Sequence, residues 1–234
     1  MADFSRSFSS MAGTIMSPSL IENTPLDSFS MDYDPAILAE IYNASINLCI
    51  WQRQLTTTVI DYVDWLLKNT SNLELRIVAE SDDVIAVIFK ALPAYAGLSA
   101  LAGDVNVLAT MFSDLFDLKS VGIRLSILDK TMCPRFHTDH LPCRLVTTYA
   151  GSGTQWLPEY TVNRSKLGHG SGGLSDALSG IYSQSSSIQQ LNAGDVALLK
   201  GSGWLGNEGQ AIVHRSPEIV KGEKRLLVTL DFGD

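Results

Sequence analysis

Cys49, Cys133 and Cys143 are the only cysteines in the sequence, and no two of them form a CxxC pair. An odd, scattered set of thiols excludes a disulfide framework and a cysteine-only zinc site, and it fits a reducing compartment. Cations are also scarce. The 17 lysines and arginines face 25 acidic residues, for a net charge of −8, and they form no cluster. Phosphate backbones are held by clustered Lys and Arg, so nucleic acid is excluded as substrate or partner. No stretch approaches the roughly 20 apolar residues a membrane span needs. The opening MADFSRSFSSMAGTIMSPSL lacks both the basic and the apolar region of a signal peptide. These absences predict a soluble, cytoplasmic protein with no membrane partner. No internal repeat is present.

The chain has 234 residues, 45% of them hydrophobic, enough for one sizeable domain or a domain with a helical extension. Residues 1–33 are rich in serine and small side chains without a period, and predict a flexible tail or a strap ordered by docking. Residues 34–120 read as a helical layer with one or two strands. Asp34-Pro35 is an N-cap followed by proline at the first helical position, and it opens a short helix through Ile37, Leu38 and Ile41. INLCIW is an apolar, strand-like run. From Gln52 to Asn69 apolar residues recur at helical spacing through Leu55, Val59, Tyr62, Val63 and Leu66. Leu73, Leu75 and Ile77 alternate as in a strand, Ser81 to Asp83 can cap a helix ending before Pro93, and another amphipathic helix is predicted over 104–117.

After Lys119 the period changes from 3.6 to 2, and residues 121–234 read as a β-rich core. Val121, Ile123, Leu125 and Ile127 alternate with smaller or polar neighbours, CRLVTTY follows, and later come VALL after an Ala-Gly-Asp turn, AIVHRSP and RLLVTLDF. Short strands between glycine-rich turns suggest a barrel or sandwich. The segment of about 150–190 is polar and glycine-rich, and reads as a lid or substrate loop.

The chemistry centres on TMCPRFHTDHLPCRLVTTY, where His137 and Asp139 stand two residues apart just before a strand-like run. On an extended chain that spacing puts both on one face. An imidazole and a carboxylate side by side can fill adjacent positions around a divalent metal, and His214 in AIVHRSP is the candidate third ligand. Two histidines and one carboxylate form the facial triad of non-haem Fe(II) oxygenases, which leaves positions open for O2 and a co-substrate. Arg225 opens the last strand-like run, placed to hold the far carboxylate of a co-substrate such as 2-oxoglutarate through its bidentate fork. Thr147 and Tyr149 share strand parity with Asp139, provided Pro142 does not break the register, and could bond the same ligand.

The order HxD, Gly-Asp turn, distal histidine and arginine about one strand later resembles the double-stranded β-helix of Fe(II)/2-oxoglutarate-dependent dioxygenases. More narrowly, IWQRQL, CPRFHTDHLPCRLVTTYAGSGTQWL and ALLKGSGWLGNEGQAIVHRSP resemble a bacterial family catalogued as domain of unknown function 1826, over most of the chain after residue 34. The broader resemblance implies an α+β protein with a double-stranded β-helix (jelly-roll, cupin-like) core and N-terminal helices packed on its outside. It implies Fe(II) as cofactor and 2-oxoglutarate as co-substrate, with a small molecule or peptide oxidised by O2. His137, Asp139 and His214 map onto its metal triad and Arg225 onto its co-substrate arginine. One position departs: the serine often found two residues after that arginine is Leu227 here.

Other readings of the same residues stay open. A cupin-type module could hold zinc or iron without catalysis, or a metal-dependent enzyme could dispense with 2-oxoglutarate. Cys133, His137, His140 and Cys143 could bind structural zinc, although their spacing matches no common finger. His169 is either drawn to the site on loop closure or simply exposed; Trp156 and Trp204 are pocket walls or core; Asn207 and Glu208 contact substrate or build a turn.

Overall fold

A computed structural model describes residues 28–233, so most of the predicted tail, residues 1–27, lies outside the described residues. The end of that stretch is ordered as a strand. Phe29–Asp32 (β1) pairs in parallel with Leu48–Trp51 (β2), and the two flank a 3-10 helix, Pro35–Tyr42, capped by the Asp34 carboxylate accepting from the Ala36 amide.

The helices follow their apolar spacing. In Thr57–Asn69 (α1) the buried residues Val59, Tyr62, Val63 and Leu66 fall at i, i+3, i+4 and i+7, and the Thr56 hydroxyl accepts from the Val59 amide as N-cap. Glu74–Ala79 (β3) is followed by Val84–Ala91 (α2). Leu98–Phe116 (α3) begins six residues before its predicted start, because Gly97 ends the preceding turn with φ +94°. A side chain there would meet the Thr58 carbonyl at 2.6 Å, so glycine lets α3 start hard against α1. The β-rich part then runs Val121–Leu128 (β4), Cys143–Ala150 (β5), Gln155–Leu157 (β6), a short helix Asp176–Ser179 (α4), Gln189–Gln190 (β7), Val196–Lys200 (β8), Val213–Arg215 (β9) and Arg225–Phe232 (β10).

The fold is mixed α/β, built in three layers on a large sheet ordered β1-β2-β8-β5-β10-β4-β3, antiparallel except for the β1–β2 pair. One face carries the helices. Ile123, Leu125, Leu145, Tyr149, Val196, Leu198, Val228 and Leu230 meet Tyr62, Leu101, Leu108 and Phe112 in the main core. Each such side chain taken fully out of water contributes about 1.5–3 kcal/mol. The other face meets a small sheet ordered β7-β6-β9, and Val146, Ala197, Leu199 and Leu227 pack there against Trp156, Leu191 and Ile212.

Alternation places the site. His214 and its register partner Trp156 point from the small sheet toward the large one, while Val213 and Leu157 point away and are covered by Phe136 and Ile181. Of the segment predicted as a lid, only Thr154 lines the central cavity. Ile181 lies with Val213 and Leu157 on the far face of the small sheet, and Asp176 holds the Arg215 guanidinium at 2.8 Å and the Phe136 amide at 3.0 Å.

Candidate metal centre

His137 and His214 are brought together by two backbone hydrogen bonds, each amide donating to the other's carbonyl at 3.0 Å, which extend the small sheet by one residue pair. Their rings lie 4.6 Å apart between centroids. Asp139 sits two residues beyond His137, and one ligand atom from each of the three side chains lies within 4.8 Å of the other two. The two-residue spacing and the distant histidine therefore converge on one point.

Hydrogen bonds set the chemistry of that point. His137 Nδ1 donates to the Arg135 carbonyl at 2.9 Å and His214 Nδ1 to the Ile212 carbonyl at 3.3 Å. A carbonyl only accepts, so both protons sit on Nδ1 and both Nε2 lone pairs face inward. Each Nε2 is 3.7 Å from the Asp139 carboxylate, too far for a hydrogen bond. His214 is kept neutral: burial pulls its pKa down to about 4 against the opposing pull of Asp139. Two neutral nitrogens and a carboxylate, turned toward one another yet unbonded, fit a divalent cation. His137 and Asp139 remain partly exposed, which leaves a side open to ligands.

Neighbours hold the carboxylate in place. Arg144 donates to Asp139 Oδ2 at 2.7 Å and grips Asp231 through Nε and Nη2 at 2.6 and 2.8 Å. The turn carrying Asp139 rests on the Gly201-Ser202-Gly203 segment, where the Ser202 amide and hydroxyl donate to the Asp139 carbonyl at 2.8 and 3.2 Å. Side chains at Gly201 or Gly203 would meet the Leu141 and His140 carbonyls at 2.0 and 2.3 Å.

A cavity of about 130 Å³, roughly four water molecules' share of the liquid, adjoins the triad. Its charged lining is Arg124, Arg144, Arg215 and Arg225 against Asp139 alone, an electropositive pocket in an acidic chain. Arg225 is 1% exposed, and its partners are the hydroxyls of Thr148 (2.8 and 3.2 Å) and Thr154 (2.9 Å). Among the described residues no carboxylate pairs with it. Burial pulls its pKa down to about 10, which still leaves it charged at neutral pH.

Two predicted residues are not in the cavity. Thr147 and Tyr149 lie on the helix face of β5, where Tyr149 packs in the main core and its hydroxyl donates to Asp104 at 2.5 Å. The chain turns through Pro142 before β5 starts, so parity counted from Asp139 does not carry over, and Arg144, Val146 and Thr148 take the cavity side. A bulge leaves Tyr149 without a register partner, between Ala150 opposite Leu226 and Thr148 opposite Leu227. Thr148 and Thr154 are the hydroxyls that bond Arg225, and nothing in the sequence separates them from other threonines of the region.

The remaining candidates separate. Cys143 is buried in the helix-side core and Cys133 is exposed at the cavity, so the four-residue zinc arrangement does not form. His140 bonds the Ser202 hydroxyl, His169 is exposed, Trp156 is core, and Trp204 packs on Tyr42, Phe116 and Lys200. Asn207 donates to the Gly201 carbonyl and Glu208 accepts from the Gly206 amide, so both build a turn.

A triad of this kind, set between two sheets beside a buried cationic cleft, is that of a candidate metal-binding protein of mixed α/β fold. The chain belongs to the family described as protein of unknown function (DUF1826), whose model matches residues 32–231. No curated protein matches the sequence. Among solved structures it is similar to a dioxygenase for auxin oxidation in rice, at 10% identity, covering 80% of this chain and 73% of that one with a TM-score of 0.42. It is also similar to HygX from Streptomyces hygroscopicus with iron bound (11% identity, 79% and 80% covered, TM-score 0.43). A Pseudomonas putida prolyl-4-hydroxylase matches at 11% identity, 84% and 96% coverage and TM-score 0.38. Each score is low, and the chemistry of the centre stands on its own residues.

Proposed function

We propose that the protein is a non-haem Fe(II)-dependent oxygenase that uses 2-oxoglutarate and O2 to oxidise a small molecule or peptide. In this reading the facing large and small sheets form a double-stranded β-helix with the helices outside. His137, Asp139 and His214 hold the metal on one face. Bound there, Fe(II) would supply the redox chemistry that activates O2 with 2-oxoglutarate as reductant. The observation that carries the reading is Arg225, a buried cation without an acidic partner in the same cavity as the triad. A buried charge is costly unless paired, so its partner is best sought in a ligand. The guanidinium would hold the distal carboxylate of the co-substrate, while Thr148 and Thr154 keep it oriented. Arg144 would hold Asp139 through Oδ2 and leave Oδ1 for the metal.

Leu227 favours a second reading, a metal enzyme that does not use 2-oxoglutarate, because it places an apolar wall beside Arg225. Anaerobic addition of Fe(II) and then 2-oxoglutarate separates the two. The first reading expects a visible charge-transfer band that weakens in Arg225→Ala. Iron binding without a band removes 2-oxoglutarate from the proposal and leaves the second reading or a non-catalytic metal-binding module.

A further inference from the structure

Arg124 lies on the wall shared by the triad's cavity and an adjoining open cleft of about 300 Å³ that also includes Arg76, Gly122 and Asp231. Strand register explains the setting. Arg76 of β3 stands directly opposite Arg124 of β4, and Arg124 directly opposite Thr229 of β10, so two arginines and a threonine form one row across the sheet. Like charges directly opposed across an antiparallel pair destabilise it. Glu74, on the same face of β3, pairs with Arg76 alone.

The other cavity arginines are occupied or spoken for. Arg144 grips Asp139 and Asp231, Arg215 grips Asp176, and Arg225 is the proposed co-substrate group. Among the described residues Arg124 has neither an ion pair nor a side-chain hydrogen bond. Two buried hydroxyls nearby are in the same condition. Thr229 Oγ1, on a residue only 7% exposed that lines the cavity, and Ser126 Oγ, on a residue 4% exposed two positions along β4, have no hydrogen-bond partner. Native structures leave few such groups, and an unpaired donor costs about 1–3 kcal/mol.

We propose that Arg124, with Arg76 and the Thr229 hydroxyl, forms an anion subsite that binds a carboxylate or phosphate group of the primary substrate. The inference rests on the oxygenase reading, but the anion site itself needs neither metal nor co-substrate. An anion between Arg76 and Arg124 would relieve their opposition and give the Thr229 hydroxyl an acceptor. It would also hold the rest of the molecule along the cleft that opens toward the triad. The preferred substrate is thus a small acidic compound or an acidic residue of a peptide.

The test uses the full chain without metal and titrates it calorimetrically with inorganic phosphate and, separately, malonate. The expected result is saturable binding of at least one of them to Arg225→Ala, where the co-substrate group cannot contribute, weakened tenfold or more when Arg124→Ala is added. Binding of phosphate only, or malonate only, tells which group the substrate carries and supports the site either way. No saturable binding of either anion to Arg225→Ala overturns the proposal, as does binding to that variant which survives the added Arg124→Ala. The Fe(II)/2-oxoglutarate band of Arg124→Ala should equal that of the wild type. Loss of the band in the wild type overturns the oxygenase reading while leaving the anion titration intact.

Discussion

Arg53 is half-buried and Arg225 fully buried, on opposite sides of the large sheet, and their surroundings differ in kind. On the helix side Arg53 meets Asp104 through two bonds of 2.6 and 2.9 Å and donates to the Gly194 carbonyl at 3.0 Å, while Tyr149 completes the aspartate. On the cavity side Arg225 finds two hydroxyls and no acid. The first network is closed upon itself and ties the turn before β8 to α3. The second is open. Adjacent residues of the same strand therefore differ in kind, Tyr149 belonging to a closed network on the helix face and Thr148 to an open one on the cavity face, which the proposed function assigns to a ligand.

Asp104→Ala should have the largest effect on stability, about 3–5 kcal/mol, because it leaves the Arg53 side chain, 12% exposed, without its carboxylate. Thermal unfolding would detect it as a fall of several degrees, and a drop under about 1 kcal/mol would break the contrast between the faces. Gly203→Ala should cost about 1–3 kcal/mol by pressing a methyl group on the His140 carbonyl, and the shifted Asp139 should weaken metal binding in the same titration. Arg144→Ala should lower metal affinity about 10–100-fold, the usual consequence of removing a residue that orients a ligand. Unchanged affinity would mean that Asp139 needs no such support. Arg225→Met should have the smallest effect on the ligand-free protein, within about 1 kcal/mol or slightly stabilising, since burial of an unpaired cation is unfavourable. A loss as large as that of Asp104→Ala would show that the two arginines are alike after all.

Much of this arrangement is legible in residue order. The two-residue HxD spacing, the later histidine and the arginine on the last strand converge in space as their order suggests, because each signal is local and strand geometry does the rest. The periodicity of α1 and of β4 likewise survives folding, although α1 starts at Thr57, just after its Thr56 cap, rather than at Gln52. What is not legible depends on contacts far apart in sequence. The FSMD strand has no pattern of its own and exists by pairing with β2. Thr147 and Tyr149 are misplaced by counting through a turn whose geometry only the Gly201 and Gly203 contacts define. Arg124 and Arg144 look like ordinary strand-face cations until their neighbours across the sheet are known.

The hydrogen bonds that join His137 to His214 have a consequence for assembly of the centre. Two of its three proposed ligands become neighbours only when β9 has aligned with the segment before β5, and β9 in turn is held by β6. Metal captured at the triad would therefore act as a clasp on the small sheet, joining a loop and a strand whose backbone bonding is confined to the His137–His214 pair and the Ser216 amide on the Cys133 carbonyl. Loading and ordering of this edge would then be a single event. A chain that has not yet closed its small sheet would have no place to keep a metal.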